Sequence, residues 1–487
     1  MRHSSRIYDS IAFSLLGLAL VGQGVWLALH RSLTLDESVT LFNSHAAFDG
    51  HFAKLFSDIH TPFFNVLMAL WTGLFGYEVM AMKAFALVCG VIGLVAVFRL
   101  ADRIAGRSVA WVAVTALSFS PVYVQYAQFG RSYVLFAATA SVSSYFYLRL
   151  LDRDFAFRSK EMVGYLIATS LMSFSHMVAA TILLAQGVHL LFVCRRDKRF
   201  SRLASWFKAL VLLLIAYSPV AITILSRYDL RKDIPAIYSW VRMPTLADLA
   251  FSVRYFTEPF LLVQLAFGGL IAIAVFTNRS RATGYLVTWL VVPPLFLFFY
   301  SRVHHPVFIE RGLFPSLIPF IVLVAIGIGR LFTKPIFSIF LVAVPASAGL
   351  IATIGNSNDD ESWAALDSAI EDVRRGSEDS FFIRPGYAAP PFLFYFDRDC
   401  FFAADRSTCM ASGRVHPVFD ESITGGTPVT ERNWFIGYGS EAVTNTRLIG
   451  ELKANPAFEV SEIPRRLESL RDQRMRGFEV ILFAPKR

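Results

Sequence analysis

Long uninterrupted runs of apolar residues constrain this chain more than any other feature. Such runs cover 11–29, 260–276 and, with their flanks, 317–328, and they approach or reach the roughly 20 residues that an α-helix needs to cross a bilayer. Of the 487 residues, 55% are hydrophobic and 17% are charged, whereas soluble globular proteins carry roughly 25% charged residues. The sequence therefore predicts a polytopic α-helical membrane protein.

Basic residues are clustered between the apolar runs. The formal net charge is +9, and a basic balance can indicate nucleic-acid binding. Short clusters at the ends of apolar runs, such as 194–199 (CRRDKR), are instead typical of the cytoplasmic loops of membrane proteins. We therefore expect membrane lipids, and no nucleic acid, among the partners. No small-residue cleavage site follows the first apolar run, so we expect an uncleaved first helix that begins in the cytoplasm.

The positions of the Lys/Arg clusters predict the topology. The clusters lie at 99–107, 149–160, 195–202, 278–281 and 330–334, and short cytoplasmic loops retain such clusters whereas short exported loops usually do not. If all of them face the cytoplasm, an even number of crossings separates each from the next. The resulting scheme has about eleven transmembrane helices, at about 11–30, 80–98, 108–126, 131–150, 161–175, 176–194, 205–226, 260–277, 282–300, 311–330 and 335–354.

Two segments fit this scheme less simply. The apolar stretch 63–75 is short for a span, and its small residues recur at helical spacing beside a broad apolar face, so we interpret it as a helix in the outer interface. The first external loop then covers 31–79. The loop 227–258 lies outside in this scheme although it contains five basic residues, among them Arg242 and Arg254; its length makes the charge rule less binding there.

A change of composition divides the chain near residue 355. From about 359 the sequence is polar and mixed: 361–375 is typical of an amphipathic helix, and 380–383, 434–436 and 478–483 are typical of strands. We expect a transmembrane domain over 1–355 and a small C-terminal α/β domain over 356–487, outside the membrane.

Two cysteines belong to this C-terminal domain, Cys400 and Cys409. An exported location favours oxidation, so we expect them to form a disulfide. The alternative is that they are two separately buried thiols, because the sequence does not supply the Cα separation that a disulfide requires.

Acidic residues and a histidine occur together on the predicted outer side. Asp36 and Glu37 follow the first span, and Asp58 and His60 precede the interfacial helix. Paired carboxylates can supply a general base together with a hydrogen-bonding or metal-binding partner. The alternatives are solvated loop acids for Asp36 and Glu37, and a helix cap for Asp58 near Pro62.

The turn 125–133 (QYAQFGRSY) lies where a predicted span reaches the outer surface and turns back. It contains Gln128, Arg131 and Tyr133. A guanidinium group can bind a lipid phosphate through two parallel hydrogen bonds. It can also simply extend to the lipid headgroups.

A second basic turn on the outer side is 302–312 (RVHHPVFIERG), which contains His305 and Arg311. Positive charge on this side breaks the orientation rule locally, and an anionic lipid head would explain it. An ion pair of Arg311 with an acidic neighbour such as Glu310 is the alternative. His176, near the tip of another external turn, fits a buried, hydrogen-bonded histidine better than a ligand.

These segments carry motifs that resemble those of a known family, most strongly over 33–151. The segment 58–67 (DIHTPFFNVL) is similar to D-x-H-P-P-L-Y-Y-L-L, 128–133 (QFGRSY) is similar to Q-E-A-R-S-Y, and 310–319 (ERGLFPSLIP) is more weakly similar to R-Y-L-L-P-A-L-P. The chain therefore resembles the polytopic glycosyltransferases of the GT-C fold, specifically the dolichyl-phosphate-mannose-protein mannosyltransferase-like group that includes bacterial lipid A aminoarabinose and galacturonic acid transferases. It departs from their pattern at Thr61 and at Phe129-Gly130, so any role of the family's glutamate in the second motif is absent here.

The resemblance implies transfer of a sugar from a polyprenyl-phosphate donor to a lipid, glycan or protein hydroxyl. The predicted topology places this reaction at the outer face of the cytoplasmic membrane and the C-terminal domain on the periplasmic side. Three acidic residues are expected at the catalytic centre: Asp36 as the base, and Glu37 and Asp58 as supports or metal ligands. Three residues are expected to bind the donor phosphate: Arg131, Arg311 and Tyr133. Second-rank candidates are His60, Gln128, His305 and His176.

No cofactor is required by this chemistry. A divalent metal held by Asp36, Glu37 and Asp58 is compatible with it, but arginines can provide the same charge neutralisation. The competing hypothesis is a polytopic transporter or flippase of lipid-linked sugars, which would line its path with intramembrane charges. We expect few charges within the spans and no pair of broken helices, and both expectations favour the transferase.

Overall fold

The computed structural model describes residues 2–51, 55, 62–227, 241–252, 254–257, 261–332, 363–371, 379–403, 409–410, 414–418, 432–438, 450, 458–461 and 478–485. The chain forms two compact units. The helical unit comprises Met1–Trp26, Leu55–Leu67 and Lys83–Ile354, and the sheet unit comprises Leu27–Lys54, Met68–Met82 and Gly355–Arg487. One boundary between the units lies at the predicted division near residue 355, but two N-terminal segments group with the C-terminal part.

Helices account for most of the described residues before 333. In chain order they are α1 Arg2–Leu29, α2 Leu35–Phe48, α3 Phe63–Phe75, α4 Val79–Ala105, α5 Arg107–Ser118, α6 Pro121–Ala127, α7 Tyr133–Asp152, α8 Lys160–Ser175, α9 Ala179–Asp197, α10 Ser201–Arg227, α11 Leu246–Phe251, α12 Arg254–Thr257, α13 Leu261–Thr277, α14 Arg281–Val303, α15 Glu310–Leu313 and α16 Leu317–Leu331. A 3₁₀ turn, Phe314–Ser316, joins the last two.

The described helices confirm a multi-pass membrane protein. Seven are long and apolar enough to cross a membrane, or up to nine spans if two bent helix pairs each count as one. The predicted count of eleven is not established, because the last predicted span, 335–354, lies outside the described residues and α8 has only 16 residues. The stretch Phe63–Phe75 is a helix with the predicted bounds, and its place in the outer interface stays a prediction.

Broken helices are present, contrary to our expectation. The pair α5 and α6 is bent by 67°, and the helices over Leu246–Thr257 and Leu261–Thr277 are bent by 89°. The first bend has a local cause: Pro121 opens α6, and the residue before a proline is driven out of helical geometry. Ser120 is accordingly extended, and its side chain caps α6 by accepting from the Tyr123 backbone N–H.

Ion pairs connect the predicted cytoplasmic loops within the helical unit. Arg103 pairs with Asp152, and Asp154 accepts hydrogen bonds from Arg202 at 3.0 Å. Asp197 joins the next two clusters, since it lies 2.6 Å from Arg202 and 2.7 Å from Arg281. The C-terminal end of α16 reaches the start of α5, where a Cβ built on Gly329 would lie 3.2 Å from Val109. The basic clusters that defined the predicted topology therefore share one end of this unit.

A buried polar network joins four neighbouring helices of the same unit. The Tyr147 hydroxyl on α7 lies 2.7 Å from Nδ1 of His189 on α9. The Tyr165 hydroxyl on α8 donates to Gln186 Oε1 at 2.7 Å and accepts from Trp206 Nε1 on α10 at 3.1 Å. Because each buried polar atom named here has a partner, the network stabilises one packing arrangement of these helices.

The C-terminal part of the sheet unit contains a mixed five-stranded sheet in the order β2-β1-β3-β5-β4. Its strands are β1 Ser380–Arg384, β2 Val415–Pro417, β3 Asn433–Tyr438, β4 Phe458–Ser461 and β5 Phe478–Pro485, and its helices are α17 Trp363–Glu371, α18 Ala389–Phe396 and α19 Arg398–Phe402. Strand β1 pairs in parallel with β2 and β3, whereas β5 is antiparallel to β3 and β4. The predicted C-terminal α/β fold is confirmed, and β2 and β4 were not predicted.

A disulfide joins Cys400 and Cys409, as predicted. Their Cα atoms are 5.7 Å apart, within the range of roughly 4.4–6.8 Å that a disulfide can span. Cys400 lies on α19, and the bond therefore ties this short helix to the segment that follows it.

Candidate active site

The acidic pair lies at the start of α2 in the sheet unit. Thr34 is the N-cap, and Asp36 and Glu37 belong to the first helical turn, where the helix dipole favours negative charge. Asp36 is partly exposed, whereas Glu37 is fully buried. The two neighbouring carboxylates therefore occupy different environments.

Glu37 completes a capping box with Thr34. Its Oε2 accepts hydrogen bonds from the Thr34 backbone N–H and hydroxyl, each at 3.0 Å, and the Glu37 N–H donates to Thr34 Oγ1 at 3.3 Å. This arrangement satisfies two backbone donors at the helix start. The pattern T-x-x-E at 34–37 is visible in the sequence, and it was the missed signal for a structural role of Glu37.

The remaining acidic candidate, Asp58, lies outside the described residues, as does His60. Within the described part of the chain, no group of three or more His, Cys, Asp and Glu side chains is placed to hold a metal ion. The predicted metal set of Asp36, Glu37 and Asp58 includes an undescribed residue and stays a prediction.

The turn between α6 and α7, in the helical unit, buries its polar residues. Gln128 is 1% exposed, Arg131 is 5% exposed and Tyr133 is 4% exposed. The Gln128 side chain donates to the Gln125 carbonyl oxygen at 3.0 Å. Burying a guanidinium group costs free energy unless hydrogen-bonding or charged partners compensate for the lost hydration. Arg131 therefore belongs to the interior of the protein and does not extend to the lipid headgroups.

An aromatic cluster brings this turn together with the 3₁₀ turn after α15. The Tyr126 ring centroid lies 4.9 Å from that of Tyr133 and 4.6 Å from that of Phe314. The His176 ring lies 5.5 Å from Tyr133, and its Nδ1 accepts from the Val178 backbone N–H at 3.2 Å. His176 is thus the buried, hydrogen-bonded histidine that the sequence favoured.

A cavity of about 750 Å³ opens in the helical unit beside this cluster. Its lining joins α6, the segment 241–255 and the residues around α15, and comprises Tyr126, Val241, Arg242, Pro244, Asp248, Ser252, Arg254, Tyr255, Phe308, Ile309, Glu310, Arg311 and Leu313. Arg311 was predicted as a phosphate-binding residue, and the cavity places it with two further arginines, Arg242 and Arg254.

These two arginines belong to the predicted external loop 227–258, whose positive charges do not follow the orientation rule. Arg242 lies 2.6 Å from Asp248, which also accepts hydrogen bonds from Thr245 at 2.7 Å and completes a capping box at the start of α11. The described part of this loop at 242–248 is therefore held by local polar contacts at the cavity. The unexplained positive charge of this loop on the predicted outer side was the sequence signal that could have identified it as part of the cavity lining.

His305 is not among the residues that line the cavity. Its ring is half-buried beside Tyr300, with ring centroids 5.4 Å apart. Burial, followed by the positive charge of neighbouring His304, holds the pKa of His305 below its ordinary value of 6.5. The lowered pKa favours the neutral form of His305, and its second-rank role at the phosphate site stays a prediction.

The comparisons with known proteins agree with the fold. The model of the family described as dolichyl-phosphate-mannose-protein mannosyltransferase matches residues 59–222. The structure of ArnT from Cupriavidus metallidurans bound to undecaprenyl phosphate matches with a TM-score of 0.65 over 97% of each chain, at 14% identity. Archaeoglobus fulgidus oligosaccharyltransferase AglB, in complex with an inhibitory peptide and a dolichol-phosphate, matches with a TM-score of 0.50 over 89% of this chain and 70% of that chain, at 11% identity. No curated protein sequence shows significant similarity to this chain.

The resemblance to the GT-C glycosyltransferases predicted from the motifs is confirmed, both by the family model and by the fold. The family model covers two of the motifs that carried the resemblance, at 58–67 from its second residue onward and at 128–133.

Proposed function

We propose that this protein is a glycosyltransferase that transfers a sugar from a polyprenyl-phosphate donor to a lipid, glycan or protein hydroxyl. The observation that carries the proposal is the cavity of the helical unit, where Arg311, Arg254 and Arg242 gather on segments far apart in sequence. A charged cavity in a multi-pass membrane protein suits the phosphate of a lipid whose tail stays in the bilayer. The fold supports this choice, because the ArnT structure that it matches contains undecaprenyl phosphate.

In this reaction a bond forms between the acceptor oxygen and the anomeric carbon while the bond from that carbon to the phosphate oxygen breaks. The leaving phosphate gains negative charge, and guanidinium groups stabilise it through charge-assisted hydrogen bonds. Arg311 and Arg254 have this role, and Arg131 and Tyr133 support it.

A base must accept the proton of the attacking hydroxyl, and we propose Asp36. Of the acidic pair it is the residue with an exposed face, whereas the Glu37 carboxylate is occupied by the cap. A divalent metal held with Asp58 is compatible with this role but is not required by it.

We propose that the reaction takes place on the outer face of the cytoplasmic membrane. The basic clusters share one end of the helical unit, as expected for its cytoplasmic end. The Cys400–Cys409 disulfide supports an exported C-terminal domain, because disulfides persist in oxidising compartments.

A lipid-linked sugar transporter is the second candidate, and the bent helix pairs are the observation that favours it. The two candidates differ in detergent solution, where no compartments exist. A transferase makes a glycosylated product there, whereas a transporter makes none.

The test uses purified protein, a radiolabelled polyprenyl-phosphate sugar and a membrane extract as the source of acceptors. We expect label in a new product together with release of polyprenyl phosphate. Arg311→Ala should weaken donor binding, and Arg311→Lys should stay clearly impaired because lysine retains the charge but loses the planar fork. Arg158→Ala, which changes an exposed arginine in the loop after α7, is the control. Unchanged donor binding by Arg311→Ala would remove Arg311 from the phosphate site.

A further inference from the structure

The C-terminal helices of the sheet unit contact the start of α2. The Leu33 backbone N–H donates to the Tyr395 hydroxyl of α18 at 2.8 Å, and Leu33 is fully buried. One residue earlier, Ser32 Oγ accepts from the Ala364 backbone N–H of α17 at 3.3 Å. Residues more than 300 positions away in sequence therefore hold the two residues that precede the N-cap of α2.

The same unit holds the rest of α2 through α19. The Phe401 ring lies 6.1 Å from Phe42, and the Phe402 ring lies 4.4 Å from His45. Arg398 extends this contact, because its guanidinium group lies 2.8 Å from the Glu78 carboxylate. The face of α2 toward its C-terminus is therefore fixed by aromatic packing, and its N-terminus is fixed by hydrogen bonds.

We infer that Tyr395 is a positioning residue for Asp36. The inference rests on the proposed function, in which Asp36 is the base. The Tyr395 hydroxyl fixes Leu33, the capping box fixes the next residue, Thr34, relative to Glu37, and Asp36 lies within the same helical turn. The C-terminal domain thus has a definite task in the reaction: it orients the helix that presents the base.

The rate of the reaction depends strongly on the position of the base. A general base must lie within hydrogen-bond reach of the proton that it removes, and a displacement of about 1 Å can cost on the order of 100-fold in rate. A buried backbone N–H also needs an acceptor. Loss of the Tyr395 hydroxyl leaves the Leu33 N–H without this acceptor, so the chain before α2 is expected to shift toward another one.

The experiment compares Tyr395→Phe with wild type in the full-length purified enzyme. We expect kcat to fall about tenfold or more, while the KM for donor and the binding of polyprenyl phosphate stay unchanged. Tyr387→Phe, which removes the hydroxyl of a half-exposed tyrosine in the same domain, should retain the wild-type kcat. If Tyr395→Phe does not fold, Ser32→Ala replaces it under the same criterion.

A wild-type kcat in a folded Tyr395→Phe enzyme would overturn the inference. A parallel loss of kcat, donor binding and thermal stability would also overturn it, because it would indicate a purely structural role. Absence of transfer by the wild-type enzyme would contradict the proposed function itself, which keeps the two failures distinct.

Discussion

At the residue scale, the neighbouring carboxylates of Asp36 and Glu37 occupy different environments. The buried Glu37 accepts from the N-cap residue, and the helix start would lose this partner if Glu37 acted on substrate. Asp36 is partly exposed and has no part in the capping box. This difference in local bonding makes Asp36 the stronger candidate for the base.

His305 provides a test of pH dependence at this scale. Its folded-state pKa is lowered, so the folded protein binds fewer protons at this site than the unfolded chain. The stability associated with neutral His305 is present above its ordinary pKa of about 6.5 and is lost as the pH falls through the lowered value. We expect His305→Gln to reduce the loss of thermal stability on acidification below pH 6.5.

Thermal melting of wild type and His305→Gln at pH 7.5 and at lower pH values measures this difference. Binding of polyprenyl phosphate at pH 7.5 should be the same in both proteins, because the imidazole carries no charge there. A tighter phosphate complex in wild type at pH 7.5 would contradict the expectation that His305 is neutral and lies outside the phosphate site.

The sequence singled out Arg311 as a candidate for phosphate binding but not Arg254, which lines the same cavity, and the reason is physical. Motif spacing reports residues that are close along the chain, whereas the cavity joins 241–255 to 308–313 through folding. The only signal for Arg254 in the sequence was its positive charge on the predicted outer side. The capping role of Glu37, in contrast, could have been predicted, because a capping box is a local pattern.

At the element scale, close contacts between helices position the bent α5–α6 pair. Tyr123 on α6 is fully buried and donates its hydroxyl hydrogen to the Gly90 carbonyl oxygen on α4 at 2.7 Å. A Cβ built on Gly93 would lie 2.3 Å from the same hydroxyl oxygen. The absence of a side chain at Gly93 therefore leaves the space that Tyr123 occupies.

Gly93→Ala tests this packing. We expect it to destabilise the protein by about 1–3 kcal/mol, because the added methyl group must displace a ring that the core encloses. The measurement is a lowered Tm in detergent. Gly22→Ala is the matched control, since a Cβ at Gly22 meets no atom within 4 Å and alanine is the better helix former. An unchanged Tm for Gly93→Ala would show that α4 and α6 approach each other less closely.

The helices themselves could be predicted from apolar runs, but their breaks and partners could not. The bend after Ser118 is caused by Pro121, and a single proline inside a long apolar run was not enough to predict a break in the helix. The polar network around Tyr147 and His189 could not be predicted from the sequence, because each of its residues resembles an isolated polar residue within a span. In the C-terminal domain the two missed strands, β2 and β4, lack the continuous apolar run that indicated the strands at 380–383 and 434–436.

At the scale of the whole molecule, the proposed topology places the basic end of the helical unit inside and the first loop and C-terminal domain outside. Single cysteines test it: His51→Cys and Ser368→Cys change exposed residues of the sheet unit, and Arg158→Cys changes an exposed residue of the predicted cytoplasmic end. The native background is favourable, because Cys89 and Cys194 are buried and the other two cysteines are joined. We expect an impermeant thiol reagent to label positions 51 and 368, but not 158, in intact cells whose outer barrier has been opened. Labelling of position 158 alone would indicate the opposite orientation of the protein in the membrane.

The central claim, that the protein consumes a polyprenyl-phosphate sugar with Asp36 as base, is tested most directly by mass spectrometry of glycolipids and glycoproteins. Cells with the wild-type gene, without the gene, and with Asp36→Asn are compared. Asparagine keeps the shape of the side chain but removes the base, a loss of roughly 100-fold or more in rate. We predict that cells lacking the gene and cells carrying Asp36→Asn both accumulate a polyprenyl-phosphate sugar, and that one acceptor in both lacks a single sugar residue. An unchanged set of glycolipids and glycoproteins without the gene, or full restoration of the acceptor by a normally expressed Asp36→Asn protein, would contradict the claim.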